Sequence, residues 1–337
     1  MKQKFLLPTS YLLLKKNLLA FSAGIDSSAL FFLLIEHGIS FDIALVNYGT
    51  RDQSDAEEAH AKKLAKIHGL TCYTAKAPTF TSHFEKQARD FRYAFFEEII
   101  REHHYDNLLT AHQLNDRLEW FLMQMTRGAG TSELAGMEPI QKRPHCTLIR
   151  PLLAHPKSEL LGYLQEHNHP YFVDESNADE RHERNRFRAA FADPLIAQYG
   201  EGIARSFDYL LEDKAILDAG YEVLHREKEL RILRLQYPQA KARACDQTLK
   251  ELGYLLSAAQ RQEIERTDRL VIGGLWAIEH VDERLYIAPA RTTDMPKVFK
   301  EQCRQLNIPP KIRPYLHDEG IDPRATIHSL FDDTITS

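Results

Sequence analysis

The run AFSAGIDSS, Ala20 to Ser28, places three hydroxyls, a carboxylate and two small residues between a short apolar stretch and a longer one. A strand that turns through small residues into a helix leaves backbone N–H groups unpaired at the helix N-terminus, and with the helix dipole these form an anion site. Phosphate is the guest such a corner suits. Ser22, Ser27 and Ser28 supply donors, and Ala23 and Gly24 keep side chains out of the way. Asp26 would repel a bare phosphate, so it indicates either a Mg2+ ion shared between carboxylate and phosphate oxygens or plain helix capping. Neither GxxxxGK[ST] nor GxGxxG occurs, which argues against a P-loop NTPase and a dinucleotide enzyme.

Other groups have comparable potential. Asp116 and Glu119, at i and i+3 on an expected helix, share one face and make a cation site, with a solvated acidic face as the plainer alternative. Arg89 and Arg92 have the same spacing and suit phosphates, or surface ion pairs with Glu85 and Asp90. His112 stands where a strand turns into a helix. Arg127 borders Gly128 and Gly130, a turn that could approach a substrate backbone. Arg181, Arg184, Arg186 and Arg188 crowd a segment that also holds Asn185, the density of a phosphate path or of a helix laced with ion pairs.

These residues need a scaffold, and the chain reads as strand and helix by turns. Strands are expected at Leu18 to Phe21, Phe41 to Asn47, Thr71 to Ala75 and Asn107 to Ala111. Helices are expected at Asp26 to Glu36, Ser54 to His68 with Ser54 as N-cap, Phe84 to His103, and Asn115 to Met125. Such alternation implies a parallel sheet covered on both faces, with ligands at the carboxyl ends of the strands. AFSAGIDSS falls there. Beyond about Arg188 the texture changes: residues 200–265 read mostly as helix, VIGGLWAIEHVDERLYIAP alternates like a hairpin or small sheet, and the tail mixes Lys297, Lys300, Arg304, Lys311 and Arg313 with aromatics.

The bulk properties set limits. A chain of 337 residues is long for one core, so two domains are expected. Its net charge of −5 gives no global pull toward nucleic acid or membrane, so any such binding rests on local basic surfaces. The four cysteines stand far apart, unlike a zinc knuckle or a redox pair, and read as reduced thiols of a cytoplasmic protein. The opening MKQKFLLPTSYLLLKKNLLAFSAG faintly imitates a signal peptide, but Pro8, Lys15 and Lys16 interrupt it. The longest apolar stretch falls far short of the roughly 20 residues a membrane span needs, so no membrane partner is expected.

SAGIDS resembles the pyrophosphate loop S-G-G-x-D-S of the PP-loop ATP pyrophosphatase superfamily, with Ala23 in place of the first glycine. In order along the chain, SAGIDS (22–27), YGTR (48–51), ARDFRY (88–93), HQLNDRLEW (112–120), RGAGTSELAGM (127–137), RPLL (150–153) and DESNADERHERNRFR (174–188) together resemble the tRNA(Ile)-lysidine synthetase family. The family pattern H-x-x-D-D-Q-x-E-T is met here by His112, Asn115, Asp116, Arg117, Glu119 and Trp120, and H-G-L-R by Tyr48, Gly49, Thr50 and Arg51. Asn115 removes a charge but keeps an oxygen for helix capping, consistent with a structural role.

The resemblance implies an α/β fold: a doubly wound, mostly parallel sheet of the PP-loop, adenine nucleotide alpha hydrolase-like kind in residues 1–200, a helical linker at 201–240, and a smaller α+β tRNA-binding domain at 241–337. It implies ATP held by Ser22, Ala23, Gly24, Ile25, Asp26, Ser27 and Ser28, and Mg2+ on Asp26. It further implies catalytic roles for Asp26, His112 and Arg89, free L-lysine on Asp116 and Glu119, and RNA contacts from Arg92, Arg127, Arg184, Asn185 and Arg188. The implied reaction joins lysine to C2 of the wobble cytidine of a tRNA(Ile) with a CAU anticodon, through an adenylated base. Rivals are a non-catalytic PP-loop nucleotide-binding protein, suggested by Ala23, Asn115 and Tyr48, and a thiolase, for which the isolated cysteines are ill suited. A homodimer stays open.

Overall fold

The computed structural model describes residues 5, 7–49, 53–80, 84–173 and 183–326. The chain divides into two compact units, Met1–Leu211 and Glu212–Ser337. The first begins with a short helix α1 (Thr9–Leu12), followed by β1 (Asn17–Ala20), α2 (Ile25–Glu36), β2 (Phe41–Asn47), α3 (Gln53–His68), β3 (Cys72–Lys76), α4 (Phe84–His103), β4 (Asn107–Leu109) and α5 (Leu114–Thr126). Then come α6 (Thr131–Leu134), β5 (Ile140–Lys142), β6 (Thr147–Ile149), α7 (Lys157–Glu166) and α8 (Glu183–Phe187). A π-helical turn at Arg188–Ala192 leads into α9 (Asp193–Asp218), which crosses the boundary between the units.

The sheet order is β3-β2-β1-β4-β6-β5, with only the edge pair β5·β6 antiparallel. Helices cover both faces, so successive strand residues are buried on opposite sides. Leu19, Leu109 and Ile149 enter the core under α2 and α7, while Leu18, Leu108 and Leu148 enter the core under α4. The chain goes one way from β1 to β2 and the other way to β4, making the carboxyl ends of β1 and β4 a topological switch point, where ligands bind in open α/β sheets.

The second unit contains β7 (Tyr221–Glu227), β8 (Leu230–Leu235), α10 (Lys241–Glu251), α11 (Ala258–Arg266), β9 (Arg269–Ile272), β10 (Trp276–Val281), β11 (Arg284–Pro289), α12 (Lys297–Gln305) and α13 (Arg313–Glu319). Its antiparallel sheet, ordered β7-β8-β11-β10-β9, carries α10 and α11 over one face and α12 and α13 over the other. The expected sheet in VIGGLWAIEHVDERLYIAP is present as β9, β10 and β11.

Two local expectations give way. The helical texture read across 200–265 contains the hairpin β7–β8, whose two-residue turn puts Lys228 at φ 49°. LRILRL buries leucine and isoleucine toward both cores, which hides the period-two signal of a strand. Ser54 is a buried residue inside α3 and does not cap it. Among the described residues no helix is long and apolar enough to cross a membrane, and all four cysteines are free thiols.

Candidate active site

The loop after β1 is fixed from behind. Ala23 adopts φ 60°, a conformation that costs an L-residue about 1–2 kcal/mol, and its methyl group is fully buried in the core. The Ala23 carbonyl accepts the Phe172 amide at 2.9 Å and the Ser28 hydroxyl at 3.2 Å, so Ser28 braces the turn. Gly24 is the extended N-cap of α2. Ser27 donates to the Gly24 carbonyl at 3.2 Å, and its oxygen lies 3.1 Å from that of Ser22, which is exposed. Of the three hydroxyls, those of Ser22 and Ser27 therefore face a cavity of about 280 Å3 that Asp26, Tyr48, Arg92, Tyr93, Thr110 and His112 also line.

Asp26 is the electrostatic anomaly of this cavity. Its Oδ1 is buried and has no hydrogen-bond partner among the described residues. Burial, followed by the nearby Asp116 carboxylate, raises its pKa to about 6, against the pull of Lys157 and Arg188. A buried carboxylate oxygen without a donor is unfavourable unless a cation arrives, so the residue fits a Mg2+ site. Among the described residues no three His, Cys, Asp or Glu side chains gather into a cage. Mg2+ needs no such cage, since one or two carboxylates, phosphates and water complete its shell.

Helix α5 is positioned by a capping box in which Gln113, not Asn115, is the N-cap: Gln113 Oε1 accepts the Asn115 amide and Asp116 Oδ2 accepts the Gln113 amide at 3.1 Å. Asn115 instead accepts the Lys157 amide at 3.1 Å, capping α7 from outside, and donates to Asp193 Oδ1 at 2.6 Å. The expected capping of α5 by Asn115 gives way to these contacts with α7 and Asp193. One turn on, Asp116 and Glu119 share a face as expected, yet their oxygens are engaged. Glu119 is 1% exposed and accepts from Arg184 Nε at 2.7 Å and Arg188 Nε at 2.9 Å, while Arg188 also donates to Asp116 Oδ1. The π-helical turn that starts at Arg188 brings this guanidinium to the carboxylate pair.

The structure places the remaining expected residues as follows. His112 lies in the cavity with Nδ1 3.0 Å from the Thr110 hydroxyl. Burial above all, reinforced by Arg150, Arg92 and Arg184 against the pull of Asp116, pushes its pKa down to about 4, so the ring is neutral at pH 7. Arg92 lines the cavity beside Tyr48, whereas Arg89 is exposed over the Tyr93 ring and does not line it. Arg127 pairs with Glu183 at 2.9 Å, and Asn185 sits half-buried on α8. Arg51, Arg181 and the rest of 174–182 lie outside the described residues. Lys157, Tyr93 and Thr110 join the site without having been singled out; the signal for Lys157 was a cation straight after Pro156 at a helix start, close enough to Asp26 to lower its pKa.

A hydroxyl-lined turn at the switch point of a parallel sheet, with an unpartnered carboxylate in its wall, defines a nucleotide-phosphate site, and the family model described as a PP-loop domain matches residues 3–195. The chain is 45% identical to the tRNA(Ile)-lysidine synthase of Campylobacter jejuni strain RM1221, over 91% of this chain and 94% of that one. It is 43% identical to that of Helicobacter pylori strain 26695, over 90% of each chain, and 42% identical to that of Wolinella succinogenes, over 91% and 94%. The chain belongs to the tRNA(Ile)-lysidine synthase family.

Proposed function

We propose that this protein is an ATP-dependent ligase that joins free lysine to C2 of the wobble cytidine in a CAU-anticodon isoleucine tRNA, forming lysidine in the cytoplasm. The observation that carries the reading is the cavity at the switch point that the Ser22–Ser28 turn and Asp26 line, with the Asp116 carboxylate near enough to raise the Asp26 pKa.

The C2 carbonyl oxygen of cytosine is a poor leaving group and must first be activated. ATP lies with its terminal phosphates on the α2 N-terminus, taking donors from Ser22 and Ser27, while Lys157 and Arg92 offset their charge. Asp26 would hold Mg2+, which when bound neutralises phosphate charge as a Lewis acid. The cytosine O2 forms a bond to the α-phosphorus as the bond to the β-phosphate oxygen breaks, and diphosphate leaves. The ε-amine of lysine, in its neutral form, then bonds to C2 as the C2–O2 bond breaks, and O2 departs with AMP. Neutral His112 serves as a hydrogen-bonding wall of the cavity; with a pKa of about 4 it is too weak a base to hold the proton that lysine sheds.

Lysine carries two ammonium groups, and Asp116 and Glu119 are suited to receive one of them. Arg184, whose side chain is half-exposed, is the partner most easily exchanged for the substrate. An anticodon base is already unstacked in its loop, so no duplex has to open. The second unit, with its basic tail, grips the tRNA away from the reacting base. Incubation with ATP, labelled lysine and transcripts of CAU isoleucine tRNA and of methionine tRNA tests the reading: label in the first alone supports it, and label in neither overturns it.

A further inference from the structure

A second groove in the first unit, of about 570 Å3, lies between the C-terminal end of α4 and the β5–β6 hairpin. Arg101 on α4 and His104 just past its end reach it from one side, and Lys142, Arg143 and His145 from the hairpin. Arg101, His104, Lys142 and His145 are exposed, and Arg143 lies 4.9 Å over the Tyr93 ring. Among the described residues, none of Arg101, Lys142, Arg143 and His145 is in an ion pair. Among the described residues that line the groove, the carboxylate is Asp106, and it is already engaged: it accepts the Lys16 amide at 2.9 Å and lies 3.6 Å from the Lys15 ammonium. Of the nearby acids on α4, Glu102 sits 4.0 Å from His103, and the charge of Glu97 helps to raise the pKa of the Cys146 thiol, after burial.

Each cation has a local excuse. Arg101 complements the C-terminal dipole of α4, and Lys142 protects an edge strand from pairing. Neither explains why two separate elements bring unpaired cations to one groove in a chain whose net charge is −5. Long, solvated cations around an open groove suit a run of phosphates better than one small ion, which calls for convergent buried donors. The position adds to this. The groove lies at the amino ends of β4 and β6 and the nucleotide cavity at the carboxyl ends, a separation of about one strand, roughly 13 Å.

We propose that this groove holds backbone phosphates of the RNA substrate, separately from the contacts that hold the reacting base. The inference rests on the reading of the chain as a tRNA-modifying enzyme. It assigns Arg101 and Lys142 as positioning contacts that read charge and not sequence.

The test is the double variant R101Q/K142Q, with K63Q/K66Q on the exposed face of α3 as a control. Filter binding of the isoleucine tRNA across a salt series reads affinity, and lysidine formation reads turnover. Each lost phosphate contact lowers the salt slope by about 0.8, so the double variant loses about 1.6. Its affinity falls by more than about tenfold at 50 mM salt, and the deficit narrows about ninefold by 200 mM. KM for RNA rises in step, kcat at saturating RNA and ATP affinity stay unchanged, and the control behaves as wild type. A wild-type affinity and slope in R101Q/K142Q, or an equal loss in the control, overturns the proposal. Failure of the wild-type enzyme to form lysidine would instead remove the functional reading, while the binding series would still decide whether the groove meets RNA.

Discussion

Replacing Asp26 by Asn should make the protein more stable and destroy its activity. Asp26 has a folded-state pKa of about 6 against an ordinary 3.8. Its charged form is thus the one that folding disfavours, and every tenfold tightening of proton binding on folding corresponds to about 1.4 kcal/mol. At pH 7 the ionised group lowers stability by about 3 kcal/mol; the effect is about half of that at pH 5 and about a fifth at pH 4, as the folded state takes up its proton first. Asn has nearly the same shape and no charge. Urea denaturation should therefore show D26N more stable than wild type by up to about 3 kcal/mol at pH 7, the two converging as pH falls from 6 toward 4. Mg2+ should raise the melting temperature of the wild type and leave that of D26N unchanged, and lysidine formation should fall by at least about a hundredfold. A D26N variant no more stable at pH 7, with the pH dependence of the wild type, would refute the argument that this carboxylate is held under strain for a cation.

Arg188→Ala should destabilise by about 3–5 kcal/mol, because it strips a donor from a carboxylate that is 1% exposed, and added lysine should raise its melting temperature more than that of wild type. Asn115→Asp, which restores the residue of the family pattern, should destabilise by about 1–3 kcal/mol by facing one carboxylate with another where Asn115 now donates to Asp193. That loss should shrink between pH 8 and pH 5 in urea titrations, as one of the pair takes up a proton. Ala23→Gly should leave activity intact and stability within about 1 kcal/mol, since relief at φ 60° is offset by loss of a buried methyl worth about 0.8 kcal/mol.

What the sequence revealed about this site was local. The turn from β1 into α2 is written in adjacent residues, and the Asp116–Glu119 face in a spacing of three, so both were legible before any fold was known. The partners were not. Arg184 and Arg188 meet Glu119 across 65 and 69 residues of chain, and Asn115 meets Lys157 across 42, distances at which periodicity says nothing. The same limit explains the fold. The long helix Phe84–His103 and the strand Phe41–Asn47 were read with their observed ends, but β5 and β6 have three residues each, too few for a pattern. Strands β7 and β8 are rich in residues that favour helix and adopt strand because both faces of their sheet are covered.

In the proposed reaction this cavity hands an adenylyl group from ATP to a pyrimidine oxygen. The most direct measurement follows that atom: a CAU isoleucine tRNA carrying 18O at C2 of the wobble cytosine is converted with unlabelled ATP and lysine, and the released AMP is weighed. One 18O in AMP is expected for each lysidine formed, since O2 leaves with the adenylyl group. AMP without the label would contradict it.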